Sequence, residues 1–218
     1  MRIACISDMH SNFKFKVQPC DLLLIAGDIC PAYHDKLLSI SLQYDFLKNK
    51  FYKWLSKQPV KECVFVFGNH DWIGDFKPLD IPKLPDNCHY LEDSSIEIMG
   101  MKIYGTPVQL PFNDWAFNRR EQVIKMHWDQ IPIGLDILLL HSPPYGILDE
   151  TNHPNHKTVH IGSLSLKEKI EEVRPQIVVF GHNHGEHGIK EIDGITYINA
   201  SLIDENYDMV KEPIYLEI

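Results

Sequence analysis

The sequence predicts an α/β fold of the α+β kind, a four-layer sandwich in which two mixed β-sheets pack face to face and are flanked by helices. Three observations carry this. Five short apolar runs, Ile3 to Ile6, Leu22 to Ala26, Val64 to Phe67, Ile137 to Leu140 and Ile177 to Phe180, have the length and the Ile, Val, Leu and Phe content of strands buried on both faces. Helical signals alternate with them through the middle of the chain, whereas hairpin signals gather around Gly100 and at Asp193-Gly194 near the end. Each run also ends on polar side chains of one chemical kind, as expected if all five strand ends share one rim, where ligands of layered α/β folds collect.

In chain order, the segment from His10 to Asp21 is polar and too short for a long crossover helix. After the second strand a helix is expected over roughly Asp35 to Lys57. Leu38, Leu42 and Phe46 form one stripe on it, Leu47, Phe51, Trp54 and Leu55 the adjoining one, and Pro59 closes it. The Pro-rich stretch from Pro78 to Pro85 reads as irregular loop, and Ser95 to Met99 with Lys102 to Gly105 reads as a hairpin around Gly100. Pro107 to Gln130 is aromatic and partly helical. Its Phe112, Trp115, Phe117 and Trp128 either fill core beneath a long connection or form a lid or a subunit interface. A Pro- and His-rich loop runs from Ser142 to Gly162. A helix then starts at a capping box of Ser165 and Glu168, carries Leu166, Ile170 and Val173 as its apolar stripe, and ends at Pro175.

Composition narrows the function. A chain of 218 residues buries a full-sized core, so one domain spanning 1–218 is expected. Nine net negative charges argue against an extended nucleic-acid surface, which needs clustered Lys and Arg. No run of 18 or more apolar residues appears and Met1 leads straight into a strand, so neither a membrane span nor a secretory signal is expected. Five cysteines without CxxC spacing suggest neither a disulfide framework nor a thiolate zinc site, and fit a reducing, cytoplasmic setting. Cys30, two residues past Asp28, is the one placed to line a site.

The residues behind the strands are Asp8 with His10, Asp28, Asn69 with His70 and Asp71, His141, and His182 with His184. Asp8 and His10 stand two apart beyond an extended segment and can project to one side to share a cation; His182 and His184 repeat the spacing. Gly27, Gly68 and Gly181 each precede one of these residues, where the absence of a Cβ lets the chain turn sharply beside an ion. Mixed His, Asp and Asn donors suit Mn, Fe, Zn, Co or Ni better than Ca or Mg, with Mn favoured.

Asp8-Met9-His10, Gly27-Asp28, Gly68-Asn69-His70-Asp71, His141 and Gly181-His182-Asn183-His184 together resemble the ordered motif set of the calcineurin-like metallophosphoesterases. Thr106-Pro107, Trp115-Ala116-Phe117, His141-Ser142-Pro143-Pro144, His160-Ile161-Gly162 and Ile198-Asn199-Ala200-Ser201 are similar to the metallophosphoesterase-domain-containing and class III cyclic nucleotide phosphodiesterase subgroup. The resemblance implies two divalent ions. Asp8, His10, Asp28 and His184 would hold one, and Asp28, Asn69, His141 and His182 the other, with Asp28 as the bridge. It further implies in-line attack on phosphorus by a metal-bridged hydroxide. His70 would protonate the departing oxygen or grip the phosphate, and Asp71 would orient and charge its ring; a buried histidine fixing a turn is the other reading of His70. Asn12 either touches substrate or is a polar turn residue.

His34, His89, His127 and His187 read as surface or supporting residues. His153, His156 and His160 read as loop polarity, and Arg119-Arg120 as a solvated helix face. The arginine that serine/threonine protein phosphatases of this superfamily carry soon after the bridging aspartate is absent, since Asp28 is followed by Ile29-Cys30-Pro31-Ala32. A phosphate monoester dianion would lack its bidentate partner, so a small phosphodiester or nucleotide substrate, including cyclic nucleotides, is expected. Alternatives are a nuclease or nucleotide pyrophosphohydrolase of the same superfamily, or a non-catalytic metal-dependent scaffold. Related phosphodiesterases also suggest a homodimer through the aromatics of Pro107 to Gln130.

Overall fold

Alternation along the strands builds the layers. Ala4, Ile6, Leu23, Ile25, Cys63, Phe65 and Phe67 point to one side of the first sheet, while Ile3, Cys5, Leu22, Leu24, Ala26, Val64 and Val66 point to the other. The second set meets Ile137, Leu139, Ile177, Val179 and Ile198 of the second sheet in a core between the sheets. Leu138, Leu140, Val178 and Phe180 turn outward into a third core under the far helices. A run apolar at every position is thus a strand with packing on both faces. The computed structural model describes residues 1–31, 36–152 and 158–218, with Asn152 described by its backbone alone.

The first half of the chain holds β1 (Arg2–Ile6), β2 (Cys20–Ala26), α1 (Lys36–Phe46), α2 (Tyr52–Leu55), β3 (Val60–Val66), α3 (Trp72–Phe76) and β4 (Cys88–Tyr90). Then come β5 (Ser94–Ile98), β6 (Met101–Thr106), α4 (Glu121–Trp128), β7 (Ile137–Leu140), β8 (Glu150–Asn152) and β9 (Thr158–His160). The chain closes with α5 (Leu164–Val173), β10 (Ile177–Phe180), β11 (Gly188–Ile192), β12 (Ile195–Asn199) and β13 (Ile214–Glu217). The first sheet has the order β13-β1-β2-β3-β4 and the second β11-β12-β10-β7-β6-β5. Within them β1 to β4 run parallel, as do β6, β7, β10 and β12, while β13, β5 and β11 are antiparallel. The carboxyl ends of β1, β2, β3, β7 and β10 meet across the two sheets, as the strand-end pattern anticipates.

Two helices depart from expectation. The stretch expected as one regular helix is helical from α1 through α2, but a π-helical turn at Leu47–Phe51 interrupts it. Ser39, Gln43, Leu47, Phe51 and Leu55 form a buried line that recurs every four residues, with Phe46 and Tyr52 buried beside it. In a regular α-helix that spacing drifts by about 40° per step, and the underwound turn takes up part of the drift. Leu38, placed on the buried stripe by periodicity, is instead 54% exposed. The helix's start at Asp35 falls outside the described residues. In α5 the cap is Ser163, whose hydroxyl accepts from the Leu166 N–H, in place of the expected Ser165 box. The helix ends at Arg174 in a left-handed conformation, just before Pro175.

The hairpins form where expected. Met99-Gly100 and Asp193-Gly194 both have two successive positive φ values, the turn type that matches strand twist. The Pro78 to Pro85 stretch is loop apart from a single 3₁₀ turn at Pro78–Asp80. Among the described residues no helix is long and apolar enough to cross a membrane.

Candidate metal centre

Tight backbone approach makes the rim. The Asp8 and His10 N–H groups donate to the carbonyls of Gly27 and Asp28 at 3.1 and 2.9 Å, so the loops after β1 and β2 run side by side. A methyl group on Gly68 would collide with the Asp28 carboxylate and backbone, and one on Gly181 with Ser7 and the Asp8 carboxylate. Asp8, His10, Asp28 and His182 all adopt positive φ, at 56°, 40°, 51° and 64°. Such conformations cost non-glycine residues roughly 1 kcal/mol or more each, so the packing around the rim holds them there.

Asp8 and Asp28 are sealed from solvent. Around Asp28 Oδ2 lie His10 Nε2 at 3.6 Å, His141 Nε2 at 3.5 Å and His70 Nε2 at 3.9 Å, while Oδ1 accepts the His70 N–H at 2.8 Å. Asp8 Oδ1 faces His184 Nε2 at 3.4 Å, and the His182 N–H points at both Asp8 oxygens. Three sets of donor atoms each fall within 4.8 Å of one another: Asp8, His10 and His184; His10, Asp28 and His70; and Asp8, Asp28 and His141. Asp8, His10 and Asp28 each belong to two of them.

The donor set fits a divalent cation. His141 Nδ1 lies 2.8 Å from the Ala26 carbonyl and can only donate to it, which leaves Nε2 with its lone pair aimed at Asn69 Oδ1, also 2.8 Å away. Two acceptors face each other there. Both ring nitrogens of His10 and Nδ1 of His70 are buried and have no hydrogen-bond partner among the described residues, a costly arrangement that an ion nearby would offset.

Electrostatics agree. Burial pushes the Asp28 carboxyl well above its ordinary range, and the neighbouring Asp8 and Asp71 carboxylates add to it. Burial would raise Asp8 too, but the hydrogen bond and charge of His184, with His141 and His10, hold it below the usual range. Burial, reinforced by surrounding histidines, keeps His10 far below its ordinary value and brings His70 and His182 down to about 3. Those three rings are neutral near pH 7 and keep lone pairs to donate. His184 is opposed by burial but lifted by Asp8.

Every residue anticipated as a metal ligand therefore lies on one rim, with His70 beside them. Asp71 is the exception in role. Its carboxylate accepts the N–H groups of Gly68, Ile29 and Cys30 at 2.7, 3.2 and 2.7 Å, whereas His70 Nδ1 has no partner. Asp71 fastens the loop after β3 to the loop after β2 and does not orient the His70 ring, which packs on Trp115 at a centroid distance of 4.2 Å. Asn12 is not among the cleft-lining residues, and its side-chain oxygen caps the Lys14 N–H, as a turn residue does. Cys30 is buried in apolar core and does not line the cleft.

The other histidines find partners elsewhere: His89 with Glu62, His127 with Asp93, His160 with Asp149, and His187 with the Ser201 carbonyl. His34, His153 and His156 lie outside the described residues. Arg119 pairs with Asp75 at 2.7 Å. Of the aromatics of Pro107 to Gln130, Phe117 and Trp128 fill core, Trp115 packs on His70, and Phe112 is exposed at the cleft.

The cleft over the rim has a volume of about 360 Å³. Beside Asp28, Asn69, His70, His182 and His184 it is walled by Phe112, Thr151, Ile161, Asn183, Gly185, Glu205 and Tyr207, with no Lys or Arg among its described lining residues. Sequence reasoning named Phe112, Ile161 and Asn183 without placing them on the walls, and missed Thr151, Gly185, Glu205 and Tyr207. Thr151 comes from β8 and Ile161 from just after β9, and Glu205 and Tyr207 come from the segment between β12 and β13, where no motif marks them. Gln43 was also missed as a support: its amide donates to the His70 carbonyl at 2.6 Å and accepts the Ile73 N–H at 3.0 Å. Only its place on a buried helical stripe marks it.

A profile of the calcineurin-like phosphoesterase family matches residues 1–186. The metallophosphoesterase domain-containing protein 1 of Homo sapiens is 32% identical over 243 aligned residues, covering 100% of this chain and 71% of that protein, and the Mus musculus protein gives the same values. Among solved structures, phosphopantetheinyl hydrolase (PptH) from Mycobacterium tuberculosis superposes with a TM-score of 0.57 at 13% identity, covering 94% of this chain and 90% of that one. That likeness is one of fold.

Proposed function

Because the chain belongs to the calcineurin-like phosphoesterase family, we propose that it is a hydrolase of phosphodiesters, small nucleotide esters among them, dependent on two divalent metal ions and working as a single catalytic domain. The observation that carries the reading is the meeting of acceptors at Asp28, Asn69 and His141, beside histidine nitrogens left without partners. Asp8, His10, Asp28 and His184 would hold one ion; Asp28, Asn69, His141 and His182 would hold the other. Bound there, the ions would supply Lewis-acid activation of the phosphoryl group and of the attacking water.

The chain's own residues supply the rest. His70 is neutral near pH 7 and its Nε2 lies near Asp28, so it is placed to hydrogen-bond a phosphoryl or departing oxygen at the centre. Trp115 backs the ring, while Gln43 and Asp28 grip the His70 backbone from opposite sides. Asp71 keeps the loops carrying Asp28 and Asn69 at a fixed spacing. A cleft whose described lining residues include no Lys or Arg suits a singly charged diester better than a monoester dianion, which normally recruits a guanidinium.

The test is a panel. Metal-stripped protein is refilled with Mn, Fe, Zn, Co or Ni and assayed on bis(p-nitrophenyl) phosphate, p-nitrophenyl phosphate, and 2′,3′- and 3′,5′-cyclic nucleotides. Diester turnover should exceed monoester turnover with Mn, and His70→Gln should lower it about 10²- to 10⁴-fold while metal content stays constant. Absence of diester turnover with every metal would refute the reading.

A further inference from the structure

Tyr207 stands over the histidines of the centre from the irregular segment between β12 and β13. Its ring lies edge-on to His10 and to His184, each at a centroid distance of 5.0 Å, yet the residue remains 52% exposed. Its φ of 65° is uncommon for a bulky side chain, and the turn around it is built to keep it there. The Asp204 carboxylate accepts the Asn206 and Asp208 N–H groups at 2.9 and 3.0 Å, and the Asp204 carbonyl accepts the Tyr207 N–H at 3.0 Å. The Lys211 ammonium donates to the Ile203 and His184 carbonyls, tying the turn to the strand end that carries His182 and His184. A strained backbone, braced on both sides, thus presents a ring that packs against two of the donor histidines while staying half-exposed in the lining of the cleft. Glu205, two residues earlier, lines the same cleft, where no described lining residue is a Lys or Arg.

We propose that Tyr207 is a specificity-determining platform that stacks a flat substituent of the diester against the metal centre, with Glu205 beside it disfavouring ligands that carry extra negative charge. The proposal rests on the phosphodiesterase reading above and adds a selectivity to it. An aromatic face accepts planar groups through stacking and apolar contact, whereas a small alkyl ester gains little there. Phe112, edge-on to His182 at 5.7 Å, is the other non-histidine ring among the described lining residues, and it belongs to a different loop.

The experiment compares binding of diphenyl phosphate and dimethyl phosphate, two monoanionic diesters that differ in their flat groups, to the Mn-loaded protein by titration calorimetry. The wild type should bind the diphenyl ester about five- to tenfold more tightly. Tyr207→Leu should bring the ratio near one with Mn content and dimethyl phosphate affinity unchanged, and Tyr207→Phe should restore most of it. Glu205→Gln should improve binding of phenyl phosphate dianion relative to diphenyl phosphate about two- to fourfold at low salt. A ratio that survives Tyr207→Leu would overturn the proposal. So would loss of Mn, or equal weakening of both esters, since the ring would then only support the histidines; an unmoved preference in Glu205→Gln removes the charge filter. Failure of the phosphodiesterase reading shows separately, as a wild type that binds these esters but hydrolyses no diester with any metal.

Discussion

Asp28 and Asp71 occupy loops after neighbouring strands, and both are sealed from solvent. They differ in what their oxygens meet. Asp71 accepts three backbone N–H groups from the two loops it joins, so its burial is matched by donors. Asp28 receives one backbone N–H, stands near three histidine nitrogens at 3.5 to 3.9 Å and is repelled by two other carboxylates. Burial raises both carboxyls, but only for Asp71 do three N–H donors pull the other way. A satisfied buried carboxylate braces structure; an unsatisfied one among lone pairs invites a cation.

Three substitutions put that contrast at risk. The largest effect is expected from Asp28→Asn, which should lower phosphoesterase turnover at least about a thousandfold and reduce bound Mn measured by mass spectrometry. The same variant, free of metal, should melt at a higher temperature than metal-free wild type, because a neutral isostere removes like-charge repulsion. A lower melting point would make Asp28 a brace like Asp71. Asp71→Asn turns an amide NH₂ toward backbone donors and should cost about 2–4 kcal/mol in urea unfolding, with Mn stoichiometry preserved in the folded fraction. Unchanged stability with lost turnover would return Asp71 to a catalytic role.

The smallest effect separates the two through His70, whose pKa falls from 6.5 to about 3. A depressed histidine contributes stability that is complete above pH 6.5 and is lost as pH falls toward 3. The stability advantage of metal-free wild type over His70→Gln should therefore shrink below pH 6.5, by up to about 1.4 kcal/mol per pH unit. Pairing of the ring with Asp71 would raise the pKa instead, and the advantage would grow on acidification.

Much of this centre was legible in order along the chain. The five runs and their followers were enough to bring Asp8, His10, Asp28, Asn69, His141, His182 and His184 to one rim, because a strand's end and the residue after it are local features. Asp71 was misread for a reason internal to such patterns. Adjacency to His70 suggested a partner, yet the chain turns between them and delivers the carboxylate to Ile29 and Cys30, more than 40 residues away in sequence. The cap of α5 also differs: the spacing of Ser165 and Glu168 points to a box at Ser165, whereas the Leu166 N–H is taken by Ser163.

The sequence by itself determined the layers and the donor set, since apolar runs of strand length can hide both faces only inside a sandwich, and His, Asp and Asn at their ends offer a divalent ion its preferred atoms. Tertiary structure alone decided which buried carboxylate is matched and which is left wanting, and which rings wall the cleft. Those properties depend on contacts such as Asp71 to Cys30, Gln43 to His70 and Tyr207 to His10, made between segments far apart in sequence, the last of them with both backbones held at positive φ. Neither periodicity nor a motif encodes such contacts, because they are chosen by how the loops of two packed sheets happen to fill the space between them.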